Sequence, residues 1–244
     1  MVTLLRRAGW ICLFFLLLMG AGLVQTGVAH AQKIATLEKV QGNVRVFEAG
    51  SRRGKKGRNG MALFVNSTVK TLGADARADL VYLKGGVVRI MGNSEVTLDD
   101  TEFTEKKTNA RLKLAAGKIF NVVTKLTEGS SYEVVTLTGT AGVKGTIFSA
   151  ETNPSQSVFM VKEGKVEVTG AQRQVLVPDL KKTVVPANQA PTEPVDLTPE
   201  EIAMFDILDD LLETIKSDIK EDIQESIKED IIQDAIEQGL GNMP

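Results

Sequence analysis

An all-β fold with a helical tail is what this chain predicts, and three observations carry that expectation. Between Ile34 and Val185, short segments alternate apolar and polar residues with a period of two, the pattern of strands in a half-buried sheet. Glycine or polar pairs interrupt these segments at intervals of roughly 8–12 residues, as in a sandwich, barrel or solenoid. After a proline-rich stretch the period becomes helical, from Thr198 to Gln238. The expected fold class is mainly β: a β-solenoid-like body (alternatively a β-sandwich), followed by a long C-terminal amphipathic α-helix.

Taken in order, the first 31 residues read as a signal peptide. Arg6 and Arg7 form a basic start, an apolar run follows from Ala8 to Val24, and Ala29-His30-Ala31 offers the small residues a signal peptidase needs. Cleavage there would begin the mature chain at Gln32, periplasmic or secreted. The apolar stretch also approaches the ~20 residues of a membrane span, so the alternative is an uncleaved anchor, the sole membrane contact expected. Cys12, Trp10 and His30 all lie in this segment and are the only residues of their kinds. The mature chain would therefore lack thiol and imidazole. That removes disulfides, Cys or His metal sites, and every reaction that uses His as a base. No catalytic residue, metal site or cofactor is expected.

Residues 32–185 form the β domain. Its strand segments are NVRVFE (43–48), ADLVYL (78–83), VVRIM (87–91), ARLKLA (110–115), KIFNVV (118–123), YEVVTL (132–137), SVFMV (157–161) and KVEVTG (165–170). A Gly-x-Val/Ile element recurs at Gly42, Gly117 and Gly164 without a fixed period, which suggests solenoid coils turning on glycine corners. Residues 186–197, with Pro186, Pro191 and Pro194, read as a semi-rigid linker.

Thr198-Pro199-Glu200-Glu201 predicts the start of a helix, with Thr198 as cap, Pro199 in the first turn and Glu201 closing a capping box. An apolar stripe then runs through Ile202, Phe205, Leu208, Leu212, Ile215, Ile219, Ile223, Ile227 and Ile231 to Ala235, with a mean step of 3.67 residues. Gly239 ends the helix at 238 and opens a tail, 239–244.

The stretch TLTGTAGVKGTIFSAE (136–151) poses a choice between a phosphate loop and a structural corner. A phosphate loop needs Gly-Lys-Ser/Thr between a strand and a helix. Here lysine precedes glycine, and Ile147-Phe148-Ser149-Ala150 reads as a strand. The expected reading is a tight corner, where Gly139, Gly142 and Gly145 permit positive φ or close backbone approach.

These residues carry a family resemblance. Val143-Lys144-Gly145-Thr146-Ile147-Phe148 resembles the V-R-G-T-x-F signature of FecR domains, with Lys144 in the usual place of Arg. The rest follows in that family's order: Gly42-Asn43-Val44-Arg45-Val46, then Arg77-Ala78-Asp79-Leu80, then Leu114-Ala115-Ala116-Gly117-Lys118-Ile119, and last Val161-Lys162-Glu163-Gly164-Lys165-Val166. The similarity covers about residues 34–185. It implies an exported β-rich domain, solenoid-like in the periplasmic sensors of iron–siderophore signalling. Those sensors carry a cytoplasmic anti-sigma segment before a membrane helix, which the seven residues ahead of the apolar run are too few to form. By this resemblance Gly139, Gly142, Val143, Lys144, Gly145, Thr146 and Phe148 are fold determinants, not a ligand site.

Charge supplies two further features. The whole chain has 29 Lys+Arg and 31 Asp+Glu, yet residues 198–238 alone hold 14 acidic residues and three lysines. A mildly basic body thus joins a strongly acidic tail. The basic cluster Arg52, Arg53, Lys55, Lys56 and Arg58 reads either as a mobile solvated loop or as an anion contact: a lipid headgroup, a polyanionic glycan or the protein's own acidic helix. Nucleic acid is not expected, since no aromatic residues interleave with these cations. The apolar stripe of the helix needs burial, by docking on the body, by self-association, or in a groove on a partner. Asp99-Asp100, the one obvious carboxylate pair of the β region, is adjacent on a strand and points to opposite faces, a poor acid–base couple. The function expected is a non-enzymatic exported binding or scaffold protein with a protein partner in the cell envelope or with itself. The alternative is a periplasmic regulatory sensor acting through a separate membrane partner in envelope or iron–siderophore signalling.

Overall fold

The computed structural model describes residues 33–82, 86–103, 107–124, 126, 128–210 and 212; the side chains of residues 100–103 and 108 are outside that description. The strands are β1 (Lys33–Phe47), β2 (Lys55–Lys56), β3 (Met61–Phe64), β4 (Thr68–Tyr82), β5 (Gly86–Ile90), β6 (Glu95–Phe103), β7 (Thr108–Val123) and β8 (Ser131–Val135). They continue with β9 (Thr140–Val143), β10 (Thr146–Asn153), β11 (Gln156–Glu163), β12 (Lys165–Gly170), β13 (Arg173–Pro178), β14 (Lys181–Pro186) and β15 (Val195–Asp196). All fifteen belong to one hydrogen-bonded ladder.

That ladder is folded over on itself by three long strands. β1, β4 and β7 each run 15 or 16 residues and change partners midway. The first half of β1 and the second halves of β4 and β7 belong to a first layer, in the order β3-β1-β4-β5-β7-β10-β11-β14-β15. Their other halves belong to a second layer, β2-β1-β4-β6-β7-β8-β9-β12-β13. Residues such as Leu80, Ile119, Phe148 and Phe159 from the first layer and Val69, Leu112, Val134 and Val166 from the second share one buried core.

Glycines make the bends. Gly42 in β1, Gly73 in β4 and Gly117 in β7 all have positive φ, at 70°, 99° and 86°. Gly117 is the tightest: a Cβ there would lie 2.2 Å from Ser94 Oγ and 2.6 Å from Ser94 Cα. Ser94 Oγ in turn accepts from Lys118 N at 3.0 Å, tying the bend to the β5–β6 turn.

Two expectations are corrected here. A solenoid stacks successive coils side by side in parallel, whereas among the described strand pairs only β7–β8 is parallel. The glycine corners turn strands from layer to layer of one ladder, and so give neither a coil nor two independent sheets. Nor do the described residues form a long helix. Thr198 caps as predicted, with both capping-box bonds, but α1 (Pro199–Ala203) passes at once into a 3₁₀ turn, Met204–Leu208. The segment lies flat on the first layer, and the tighter turn keeps Phe205 and Leu208 buried against it. Residues 213–238 of the predicted helix, with Ile215, Ile219, Ile223, Ile227 and Ile231, lie outside the described residues, as do the signal segment 1–31 and the tail 239–244.

The bend geometry separates two glycines of the family motifs. Gly117→Ala is expected to destabilise by about 1–3 kcal/mol, from left-handed strain alone before the Ser94 clash is counted. Gly142→Ala, whose added Cβ would meet only Glu167 O at 4.0 Å, should stay within about 0.5 kcal/mol of the parent. Urea denaturation of the two variants measures both.

Candidate functional site

The two layers differ in how their outer faces meet water. In the second layer, β12 alternates buried and exposed residues along Lys165–Gly170, the pattern of a sheet solvated on one side. In the first layer, β5 is buried without interruption from Val87 to Ile90, and β11 from Phe159 to Val161. Such runs mean that both faces are covered. The inner cover is the second layer. The outer cover is the chain's own segment from Leu197 to Asp210, which buries Leu197, Phe205 and Leu208 against Val87, Phe120 and Met160.

This strap crosses the strands one after another. Leu197 N donates to Leu180 O at 2.8 Å at the β14 edge. Glu201, held by its cap, pairs with Lys182 of β14. Burial alone would push the Glu201 carboxyl up, but hydrogen bonds from Lys182 and Thr198 N, with the charges of Lys182 and Lys118, hold it below its ordinary value. Phe205 then stands edge-on to Phe120, with centroids 5.3 Å apart at 82°. Beyond it the strap reaches β5, β4 and β1.

Arg89 sits at the end of that path, 1% exposed in an otherwise apolar strand. Asp79, its cross-strand neighbour in register, accepts from Nε at 2.8 Å and from one terminal nitrogen at 2.7 Å. This bidentate fork fixes the guanidinium plane. The remaining donors face the strap: Ile207 O accepts one, Asp210 Oδ1 accepts another at 2.7 Å, and Asp210 Oδ2 lies 3.3 Å from the third. All five N–H groups of the guanidinium thus have acceptors. Lys39 of β1 adds a 2.9 Å ion pair to Asp210. The Arg89 hydrogen bond, helped by Lys39 and opposed by partial desolvation, holds the Asp210 carboxyl far below the usual carboxylate range. Hydrogen bonding to Asp79, against the pull of burial, raises Arg89 further above its already high value.

The glycine motif and the basic cluster singled out in the sequence fall elsewhere. Val143, Lys144, Gly145 and Thr146 carry the chain from β9 in the second layer to β10 in the first, with Gly145 at φ 82° and Phe148 fully buried in the core. The return crossing at Gly164 packs on it, for a Cβ at Gly164 would lie 2.9 Å from Gly145 O. Gly139 closes a turn with Thr136 and has Thr169 O at 3.0 Å from its Cβ position. Gly142 lies within β9 with open space. The stretch is a corner between layers.

Of the basic cluster, Arg52, Arg53, Lys55, Lys56 and Arg58 are all exposed, and Lys55–Lys56 form the edge strand β2 against Arg45 and Val46. Gly57 N donates to Val44 O and Gly60 N to Leu37 O, so this loop is tied to β1. Among the described residues, the cations paired with the acidic segment are Arg89, Lys39 and Lys182. The stripe residues Ile202, Phe205, Leu208 and Leu212 do pack on the β body. Asp99 pairs with Lys113. Sequence reasoning gave Arg89 and Asp210 no role and quoted Asp79 only within a family motif; the signal was a single charge inside VVRIM.

Comparison with known proteins adds the following. A family model described as FecR protein matches residues 67–167, from the end of the β3–β4 turn into β12. The match bears out the resemblance read from the motifs, over a shorter span. Two crystal structures of a "putative anti-sigma factor" from Parabacteroides distasonis ATCC 8503 align with TM-scores of 0.47 and 0.48, at 17% and 16% identity. The alignments cover 56% and 57% of this chain and 62% and 63% of those chains, less than two thirds of their length. No curated protein sequence matches.

Removing either partner of the buried pair should cost far more than removing its outer acceptor. Arg89→Leu leaves Asp79 buried without its cation and is expected to lose about 3–5 kcal/mol, while Asp210→Asn, at a side chain 51% exposed, should lose about 0–1 kcal/mol. The pH dependence has a definite sign. A carboxyl whose pKa is lowered by docking stabilises the docked state above its ordinary pKa, about 3.9, and that contribution fades as pH falls toward the lowered value. The difference in thermal midpoint between parent and Asp210→Asn should therefore be constant near neutrality and shrink progressively below about pH 4.

Proposed function

With a FecR domain at residues 67–167 as the premise, we propose that this chain is a non-catalytic regulatory module of the bacterial cell envelope that works by binding another protein. Residues 1–31 deliver it to the periplasm, and the signal passes through a separate partner. The observation that carries this reading is the outer face of the first layer. It is apolar, it presents a fixed guanidinium, and it already holds a helical polypeptide through both features. Such a face recognises protein segments: apolar side chains supply contact area, and a preoriented cation selects a carboxylate. Regulation is favoured over a passive scaffold because the occupied face presents something different once the strap lifts.

In-cell photo-crosslinking tests this. A photoreactive residue at Lys118 or Lys162, at the rim of the strapped face, should give a discrete adduct with another envelope protein. The same residue at Lys113, on the outer face of the second layer, should give none. Absence of any adduct from both rim positions, in variants that retain the parent thermal midpoint, rejects the reading.

A further inference from the structure

We propose that the outer face of the first layer also takes the strap of a second copy of this chain, so that two copies exchange residues 198–210. It rests on the protein-binding reading above and adds a second copy of the chain as a further occupant of the same face.

Three observations carry it. First, the receiving site is complete without the strap. Asp79 fixes Arg89 through two hydrogen bonds made entirely within the β body, and the guanidinium then aims its remaining donors outward between apolar neighbours. A preorganised cation in such surroundings binds a carboxylate with little reorganisation. Second, beyond Leu197 N the described residues of the strap add no strand to the ladder. It is held by buried side chains, by the ion pairs Glu201–Lys182 and Asp210–Arg89–Lys39, and by Ile207 O. Lifting it about Thr198, whose backbone is extended at φ −75°, ψ 160°, breaks no sheet pairing among the described residues. Third, the occupant is defined by charge and spacing. The face offers cations at Lys182 on one side and at Arg89 with Lys39 on the other, with Phe120 between them. The strap supplies Glu201, Phe205 and Asp210 in the matching order. A second copy carries the same segment.

Exchange of identical elements makes the same contacts in the single chain and in the pair, and it forms a closed, two-fold assembly. The balance is then set by effective concentration. A tethered strap competes at about millimolar local concentration, so the exchanged pair is a minor species in dilute solution and becomes larger when the resident strap is weakened.

The test uses full-length chains carrying Cys12→Ser, which leaves no other cysteine. One chain bears Glu201→Cys and the other Lys182→Cys; they are mixed and treated with a short bis-maleimide. A single chain carrying both cysteines serves as the intramolecular control. Exchange predicts a covalent pair of the two different chains, formed at least tenfold faster than when Lys182→Cys is replaced by Leu176→Cys, an exposed site on β13. Adding Asp210→Asn to the Lys182→Cys chain, which loosens its own strap at an exposed position, should raise the yield several-fold. Equal rates for the Lys182 and Leu176 partners, or no covalent pair where the intramolecular control reacts fully, overturns exchange. If exchange fails while the rim positions still capture a different envelope protein, the regulatory reading stands; if both fail, neither does.

Discussion

One requirement governs this molecule: a sheet that is apolar on both sides must be covered on both sides. The first layer is such a sheet, because β5 and β11 lack the alternation that would give them a wet face. Its inner side is covered by folding the ladder over, which the glycine bends in β1, β4 and β7 permit. Its outer side is left to the last described segment of the chain. A guanidinium on that outer side would be prohibitively costly to bury alone. It is tolerable because Asp79 stands opposite in the register and because the strap brings a carbonyl and a carboxylate to the donors that remain. Of the strap's acidic residues, Asp210 meets that need, while Glu201 pairs with Lys182.

The sequence revealed elements better than their assembly. Alternation in KVEVTG and β-branched runs such as KIFNVV marked strands because burial on one face or both writes itself locally. The recurring glycines were also legible: Gly42, Gly117 and Gly164 all adopt positive φ. What a corner does afterwards is not local information. The same glycine serves a coil, a hairpin or a bend into the opposite layer, and the choice depends on which distant strand receives the chain. The helix start was written in Thr198 and Glu201, whose capping box needs only its own four residues. The change to a 3₁₀ turn was not, since it accompanies a contact with Arg89, more than a hundred residues earlier. Arg89 was visible as a lone charge among apolar neighbours. Its partnership with Asp79 depended on the β4–β5 register, which no composition rule supplies. The cluster Arg52–Arg58 drew notice by density, yet its lysines lie on a short edge strand, where charge discourages pairing with another sheet.

The FecR match and the strap divide the site between them. Asp79, Arg89 and Phe120 fall inside residues 67–167, whereas Glu201, Phe205 and Asp210 fall beyond them. The motif residues Lys144–Thr146 and Gly164 serve a different end. They form two crossings between layers that pack on each other and hold β10 and β11 in the sheet that the strap covers. The family signature therefore secures the platform, and the segment after it determines what the platform presents.

The position of the strap at the end of the described chain also sets an order of events during synthesis. β14 precedes Met204–Leu208 in the sequence and leaves the ribosome or an export pore ahead of it, so the first layer can close its ladder while its outer side is still wet. Nascent or prematurely terminated chains then display an unshielded greasy surface, the kind that chaperones bind and that seeds aggregation. Truncated forms of this protein are for that reason poor substitutes for the whole.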